Sequence, residues 1–222
     1  MAKIEENLLN IQKQIVNAKQ RANTDQTVNI IAVTKEVDIA RTKEAIEAGL
    51  TNLGENRPEG LMNKLQSINS NVSWHYIGSL QTRKVKQVIN DIDYLHSLDR
   101  LSLAEEIEKR ATKAVKCFIQ VNVSGEESKH GLTKQQTLEF VKQLGQFSKI
   151  IVVGLMTMAP FTEDETVIRQ VFKQLKQLQQ EMSQLNIPNV PCTELSMGMS
   201  NDYEIAVEEG ATFVRIGTAL VG

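Results

Sequence analysis

The chain has 222 residues, of which 41% are hydrophobic, and 25 Lys and Arg side chains face 27 Asp and Glu for a formal net charge of -2. A chain of this length can bury one substantial core, and the near balance of charge disfavours a nucleic-acid partner. It has no apolar stretch of the length that a membrane span needs, and neither a secretory signal nor a transit peptide is recognisable. We therefore expect a soluble, cytoplasmic protein that binds neither nucleic acid nor membrane.

The cysteines offer no redox motif and no metal site. Cys117 and Cys192 lie far apart, and neither belongs to a Cys-x-x-Cys pair or a Cys/His cluster. Disulfide frameworks and zinc sites require such clusters. Both thiols are expected to be reduced, with Cys117 in the core.

The chain begins with a predicted amphipathic helix and continues as alternating strands and helices. Ile4, Leu8, Ile11 and Ile15 recur at helical spacing within residues 3–22, on one face of that helix. The first strand is the β-branched run at 28–33, and the helix at 39–48 ends at a glycine. Further strands are predicted at 52–54, 74–77, 94–97, 116–123, 150–155, 194–197 and 212–216. Further helices are predicted at 58–67, 81–90, 100–112, 133–144, 163–185 and 201–209.

This alternation predicts parallel βαβ units throughout. Eight such units favour a closed (β/α)8 TIM barrel over an open doubly wound sheet, although that barrel typically has about 250 residues. Because little chain follows the last strand, we expect the final helix to be missing or vestigial, with the N-terminal helix covering the gap. No linker interrupts the pattern, so residues 1–222 are predicted to form a single α/β domain.

Polar and glycine residues follow nearly every predicted strand, and in (β/α)8 barrels the carboxyl ends of the strands carry the site. The segment from Ser196 to Asp202 joins the seventh strand to a helix, and Gly217 and Thr218 follow Arg215 after the eighth. Backbone N–H groups, hydroxyls and a helix N-terminus can bind an anion, and these two loops commonly bind phosphate in this fold. Each motif alone is more often a cap or a turn, but together they predict a phosphate site.

Lys35 ends the first apolar strand, so its amine is predicted to lie at the barrel mouth. An amine placed there can attack a carbonyl carbon and form a Schiff base. A strand-end lysine also commonly does no more than carry its charge to solvent. Lys35 by itself is therefore weak evidence for such chemistry.

Short motifs in a characteristic order cover the chain from about residue 7 to its end. They are Ala32-Val33-Thr34-Lys35, Gly54-Glu55-Asn56, Trp74-His75-Tyr76-Ile77-Gly78-Ser79-Leu80-Gln81, His96-Ser97-Leu98-Asp99, Gln120-Val121-Asn122-Val123, Gly154-Leu155-Met156-Thr157-Met158, Leu195-Ser196-Met197-Gly198-Met199-Ser200 and Val214-Arg215-Ile216-Gly217-Thr218. This series closely resembles the pyridoxal phosphate homeostasis proteins, also called the proline synthetase co-transcribed family. The family is similar to the N-terminal barrel domain of alanine racemase but lacks that enzyme's second domain.

The resemblance implies a site for pyridoxal 5′-phosphate (PLP), with Lys35 holding the cofactor covalently as an aldimine. The other implied contacts share that site: Ser200, Gly217 and Thr218 for the phosphate, Ser196 and Met199 for the shape of the phosphate loop, and Asn56, His75 and Arg215 for the ring. Arg215 would face the pyridine nitrogen, where a permanent guanidinium charge disfavours protonation and weakens the ring as an electron sink. PLP binding then need not bring efficient amino-acid chemistry. Thr82-Arg83-Lys84 departs from the Ser-Asn-Lys more usual in the family, so Arg83 receives no role.

Three functions remain open. The first, which the resemblance implies, is intracellular PLP homeostasis by a monomer that binds, buffers or delivers PLP to PLP-dependent apoenzymes without substantial turnover, and so affects amino-acid pools. The alternative is a PLP-dependent racemase of small amino acids, in which one of the three tyrosines, Tyr76, Tyr94 or Tyr203, must supply the acid/base group opposite Lys35. A cofactor-free Schiff-base aldolase acting on a phosphosugar would leave the resemblance unexplained. Lys129 is a second amine that could visit a bound aldehyde.

Overall fold

The structure, a computed structural model, describes residues 2–126 and 130–222, and Lys129 lies outside the described residues. Eight parallel strands close into a barrel in chain order, with the first paired to both the second and the last. The strands are β1 (Asn29–Val33), β2 (Asn52–Glu55), β3 (Ser73–Tyr76), β4 (Tyr94–Leu98), β5 (Val115–Gln120), β6 (Ile150–Met156), β7 (Glu194–Met199) and β8 (Phe213–Ile216). The helices are α1 (Ala2–Arg21), α2 (Ile39–Glu47), α3 (Pro58–Ser67), α4 (Val85–Val88), α5 (Leu101–Arg110), α6 (Lys134–Leu144), α7 (Glu165–Ser183), α8 (Tyr203–Glu208) and α9 (Thr218–Val221). The (β/α)8 barrel prediction is confirmed.

Most element boundaries differ from the sequence prediction by one or two residues, and three differences bear on the site or the barrel. β5 ends at Gln120 instead of 123, and the segment predicted as a helix at 81–90 forms a 3₁₀ turn (Thr82–Lys84) followed by the single-turn α4. The helix predicted to start at 201 begins at Tyr203, because Met199 and Asp202 first form a closed turn. In that turn the Met199 N–H donates to Asp202 Oδ1 (2.5 Å) and the Asp202 N–H donates to the Met199 carbonyl oxygen (3.1 Å).

The N-terminal helix takes the place of a full last helix, as predicted. α9 has only one turn, and α1 packs against both α8 and α9. The Asn7 side chain donates to the carbonyl oxygen of Leu220 (3.0 Å), and the Tyr203 hydroxyl hydrogen-bonds to Gln14. The helical stripe containing Ile4 is buried by these contacts.

Buried side chains lie on both sides of the barrel wall. The larger apolar cluster lies between the strands and the helices, whereas Ile31, Phe118, Met156 and Phe213 form a smaller cluster with Tyr94. Two imidazole rings join the smaller cluster, since His75 stacks on Tyr94 with ring centroids 4.3 Å apart and His96 stacks on Phe118 at 4.5 Å. The barrel interior is therefore filled with rings and polar side chains, in contrast to the aliphatic layers common in this fold.

Both cysteines are buried and free, as expected. Burial raises the pKa of the Cys192 thiol to about 12 and that of Cys117 still further above its ordinary value. Among the described residues, no three His, Cys, Asp or Glu side chains come together in a way that could hold a metal ion. None of the helices described above combines the length and hydrophobicity of a membrane span.

Candidate functional site

A cavity of about 940 Å³ opens at the carboxyl ends of the strands. Most of the residues implicated by sequence line it: Lys35, Asn56, Met199, Ser200, Arg215, Gly217 and Thr218. They come from the ends of β1, β2, β7 and β8, which lie side by side because β1 and β8 close the barrel. The closure of the sheet therefore brings residues at the ends of the first two strands and the last two strands to one site.

Lys35 has a fixed backbone and an exposed side chain. Thr34, directly before it, is buried; its N–H donates to the Gly54 carbonyl oxygen (3.0 Å) and its hydroxyl donates to Glu55 Oε1 (2.6 Å). Within the described part of the chain, the Lys35 amine has no hydrogen-bond or ion-pair partner, and it lines the cavity. The first strand therefore delivers an uncommitted primary amine to the cavity, which is what attack on an aldehyde requires.

A buried ion pair anchors this end of β1. Lys64 on α3 donates to Glu55 Oε1 (2.6 Å) and also to the carbonyl oxygen of Thr34. The side chains of Lys64 and Glu55 are 6% and 2% exposed. Charges so far from water persist only when they are paired and hydrogen-bonded. The pair thus ties β1, β2 and α3 together directly beside the backbone of Lys35.

The loop after β7 owes its shape to a glycine. Gly198 has a φ of +91°, and a Cβ there would lie 2.6 Å from the Cβ of Ala206 on α8, so a larger residue fits neither the conformation nor the space. Beyond it, the turn closed by Asp202 presents Ser200 and Asn201 to the cavity. Burial raises the pKa of the Asp202 carboxyl, opposed by its hydrogen bond from Met199 and by the charge of Arg215.

The backbone at this edge of the cavity carries free donors. Among the described residues, the N–H groups of Ser200, Asn201 and Gly217 have no acceptor. A Cβ added to Gly217 would meet nothing closer than Val33 at 3.6 Å, so the rest of the chain does not require glycine there. α8 starts at Tyr203 and has only six residues, so the donors available to an anion at this edge are these loop N–H groups and not a long helix dipole.

Arg215 places a buried cation in the floor of the cavity. Its side chain donates through Nη1 to Ser196 Oγ (2.6 Å) and through Nη2 to the Thr157 carbonyl oxygen (3.0 Å). Burial lowers its pKa to about 10, against the opposing effect of Asp202, so it remains protonated at neutral pH. No carboxylate in the described residues forms an ion pair with it. Its positive charge is therefore left for whatever enters the cavity.

His75 and Ser196 lie in the barrel interior, outside the cavity lining. His75 is fully buried and contacts Asn52, Tyr94 and Phe213, the first residues of β2, β4 and β8, so it lies toward the amino-terminal end of the barrel. Ser196 is also fully buried, between Arg215 and His96. Neither is among the described residues that line the cavity. The role of His75 at the ring stays a prediction, and in this structure its place in β3 turns its ring into the barrel interior.

Sequence reasoning also missed several lining residues, among them Gln120 and Phe161. Gln120 was assigned to the middle of a longer strand, but it is the last residue of β5 and faces the cavity. Phe161, in the loop after β6, lines the rim with its side chain 98% exposed. If β5 had been predicted to end at Gln120, that residue would have been recognised as a strand-end residue facing the cavity. No hydrophobic periodicity in the sequence distinguishes Phe161 from the rest of its loop.

Comparison with known proteins agrees with this geometry. Residues 7–222 match the family described as alanine racemase, N-terminal domain. A curated protein of Aquifex aeolicus named pyridoxal phosphate homeostasis protein is 38% identical over 222 residues, which cover 98% of this chain and 96% of that protein. The chain belongs to the pyridoxal phosphate homeostasis protein family.

Solved structures show the same relationship at two levels of similarity. The structure of PipY from Synechococcus elongatus with PLP bound has 31% sequence identity and a TM-score of 0.87, with 99% of this chain and 100% of that chain covered. The alanine racemase of Corynebacterium glutamicum superposes with a TM-score of 0.73 at 14% identity and is covered over only 60% of its length. That second likeness is one of fold alone, and it matches the barrel part of a longer chain.

Proposed function

We propose that this protein binds pyridoxal 5′-phosphate in the cavity and acts in PLP homeostasis, by binding, buffering or delivering the cofactor without substantial turnover of its own. One observation carries the proposal: among the described residues, one cavity presents a lysine amine without a partner, backbone N–H groups without acceptors and a buried cation without an ion pair. These groups complement an aldehyde, a phosphate and a ring acceptor, and PLP carries all three. PipY, similar over its whole length, has PLP bound.

Within this proposal each lining residue has a distinct task. Bound PLP would offer its aldehyde carbon to Lys35 Nζ, and their condensation to a Schiff base would release the aldehyde oxygen as water. Ser200, Gly217 and Thr218 bind the phosphate, and Arg215 faces the ring nitrogen, where its charge opposes protonation. Asn56 borders the ring and Met199 shapes the phosphate loop, while Ser196 and His75 make no direct contact. A single barrel domain, a monomeric state, a cytoplasmic location and delivery to PLP-dependent apoenzymes belong to the same proposal.

The phosphate assignment predicts strong discrimination between PLP and pyridoxal. Loss of the phosphate removes several charge-assisted hydrogen bonds, each worth about 1.5–3 kcal/mol, which corresponds to at least tenfold per bond. Absorbance titration of the purified apoprotein measures both affinities, and we expect pyridoxal to bind at least 100-fold more weakly. Thr218→Val keeps the side-chain size but removes the hydroxyl, so it should weaken PLP binding and leave pyridoxal binding unchanged. Equal affinities for the two ligands would refute the assignment.

The cavity lining also predicts slow amino-acid chemistry. None of the described tyrosines lines it: Tyr76 and Tyr203 are buried elsewhere, and Tyr94 lies at the opposite end of the barrel. Two-base racemisation needs a second acid/base group on the face of the cofactor opposite Lys35. Proton NMR of alanine in deuterated water with the PLP-loaded protein should therefore show no loss of the α-proton signal beyond a few equivalents. Catalytic loss that disappears in Lys35→Ala would contradict the absence of substantial turnover and favour the racemase alternative, and His130, which lines the rim, would be tested next.

A further inference from the structure

A chain of hydrogen-bonded side chains runs through the barrel interior from the cavity floor to the opposite end. Arg215 Nη1 contacts Ser196 Oγ at 2.6 Å, and Ser196 Oγ contacts His96 Nδ1 at 2.9 Å. His96 Nε2 then contacts His75 Nδ1 at 2.9 Å, and His75 Nε2 contacts Asn52 Oδ1 at 3.0 Å. All of these residues are buried except the half-buried Asn52. We call them the interior relay.

The two ends of the interior relay determine the direction of every bond in it. A guanidinium can only donate, so Ser196 Oγ accepts from Arg215 and its own proton has one remaining acceptor among the described residues, His96 Nδ1. His96 must then carry its proton on Nε2 and donate it to His75 Nδ1. His75 in turn carries its proton on Nε2 and donates to Asn52 Oδ1. Ser196, His96 and His75 therefore each direct a lone pair toward Arg215 and a proton away from it.

Charge does not move along this chain. Burial lowers the pKa of His75 to about 3, and burial, with His75 and Arg215 nearby, holds that of His96 well below its ordinary value, so both rings stay neutral. The last member, Asn52, has no titratable group to release or accept a proton. The relay is therefore a fixed row of dipoles and not a proton path. Its rings are held by stacking, that of His75 on Tyr94 with only 4° between the planes.

We propose that His96 and His75 are positioning residues for Arg215, because through Ser196 they hold its guanidinium in the cavity floor as an unpaired, donor-only cation. The lone-pair ends of the dipoles offset part of the cost of burying that charge, which no ion pair offsets in the described residues. An ion pair with a carboxylate would hold Arg215 equally well but would neutralise it. The inference concerns the protein without ligand, so it goes beyond the proposed function and stands or falls separately from it.

The first test is the protonation state of the two rings in the ligand-free protein. Nitrogen-15 NMR of the imidazoles should show His75 and His96 as neutral rings protonated on Nε2, unchanged between pH 6 and 8. Assignment uses His75→Gln and the exposed His130→Gln, each of which removes one signal set. A ring protonated on Nδ1, or on both nitrogens, in either His75 or His96 would overturn the proposal. This measurement needs no folded variant of Ser196.

The second test breaks the relay at one atom and has a matched control. Ser196→Ala removes the hydroxyl that joins Arg215 to His96, and we expect the Arg215 guanidinium N–H signals to lose their protection from solvent exchange and the His96 Nδ1 signal to shift. Ser97→Ala removes another buried hydroxyl, one that has no hydrogen-bond partner among the described residues, and should change neither signal. Ser196→Thr restores the hydroxyl and should restore both signals. Unchanged Arg215 and His96 signals in folded Ser196→Ala would contradict the proposal.

Discussion

Lys35→Ala is expected to abolish the covalent attachment of PLP while the protein keeps its fold. The Lys35 amine is exposed, lines the cavity and has no partner in the described residues, so its removal breaks no bond in the folded chain. The phosphate donors at Ser200 and Gly217 remain, so weak, non-covalent PLP binding should persist. Borohydride reduction followed by mass spectrometry should show one PLP per chain in the unaltered protein and none in the variant.

Lys43 provides the matched control for this experiment. It is also exposed, but it lies on α2 outside the barrel and is not among the described residues lining the cavity. Lys43→Ala should retain the full adduct, mapped by peptide analysis to Lys35. A full adduct in Lys35→Ala would show that another amine carries PLP, and the same peptide analysis would establish whether it is Lys129. That outcome would remove the central residue of the proposed site.

Lys64→Met is expected to lower the free energy of unfolding by about 3–5 kcal/mol, because it leaves the Glu55 carboxylate buried without its cation. Methionine keeps the length of the lysine stem, so little packing is lost. The Thr34 carbonyl also loses a donor, beside the backbone of Lys35. Urea denaturation followed by circular dichroism measures the change. Glu55→Gln combined with Lys64→Met should be less destabilised than Lys64→Met, since no charge then remains buried.

A second Lys–Glu pair serves as the comparison. Lys134 lies 2.7 Å from Glu181, almost the same distance as in the buried pair, but the two side chains are 59% and 47% exposed. Solvent screens such a pair, and exposed pairs contribute about 0–1 kcal/mol. Lys134→Met should therefore change the unfolding free energy by no more than that. Similar losses in Lys64→Met and Lys134→Met would show that burial of the Glu55 pair has no energetic weight.

The order and type of the elements could be predicted because they depend on local patterns. β-branched apolar runs marked the strands, helical spacing marked α1 and α7, and strict alternation indicated parallel strands and hence a barrel. Strand ends that carry polar or glycine residues then pointed to Lys35, Arg215 and the Gly217-Thr218 turn, all of which line the cavity. These inferences needed only the spacing of residues along the chain.

Which side of a strand a residue faces could not be predicted in the same way. In a (β/α)8 barrel both faces of each strand are covered, so alternation does not distinguish the interior from the helix side. In β3 the flanking Trp74 and Tyr76 belong to the outer core and His75 turns inward, where it meets His96 from the next strand. The register of neighbouring strands decided this, because it determines which rings share a level of the barrel.

The sequence by itself determined the fold class, the family and most of the cavity-lining residues, since motifs at strand ends are local and barrel closure brings them together wherever they lie in the chain. Only the tertiary structure decided that Asn52, His75, His96 and Ser196 form one relay behind Arg215, and that Glu55 pairs with Lys64 beneath Lys35. With Arg215, the relay joins residues from five different strands, and no spacing within one segment records such contacts. Their formation depends on the twist and register of the closed sheet, which bring distant side chains within hydrogen-bond distance.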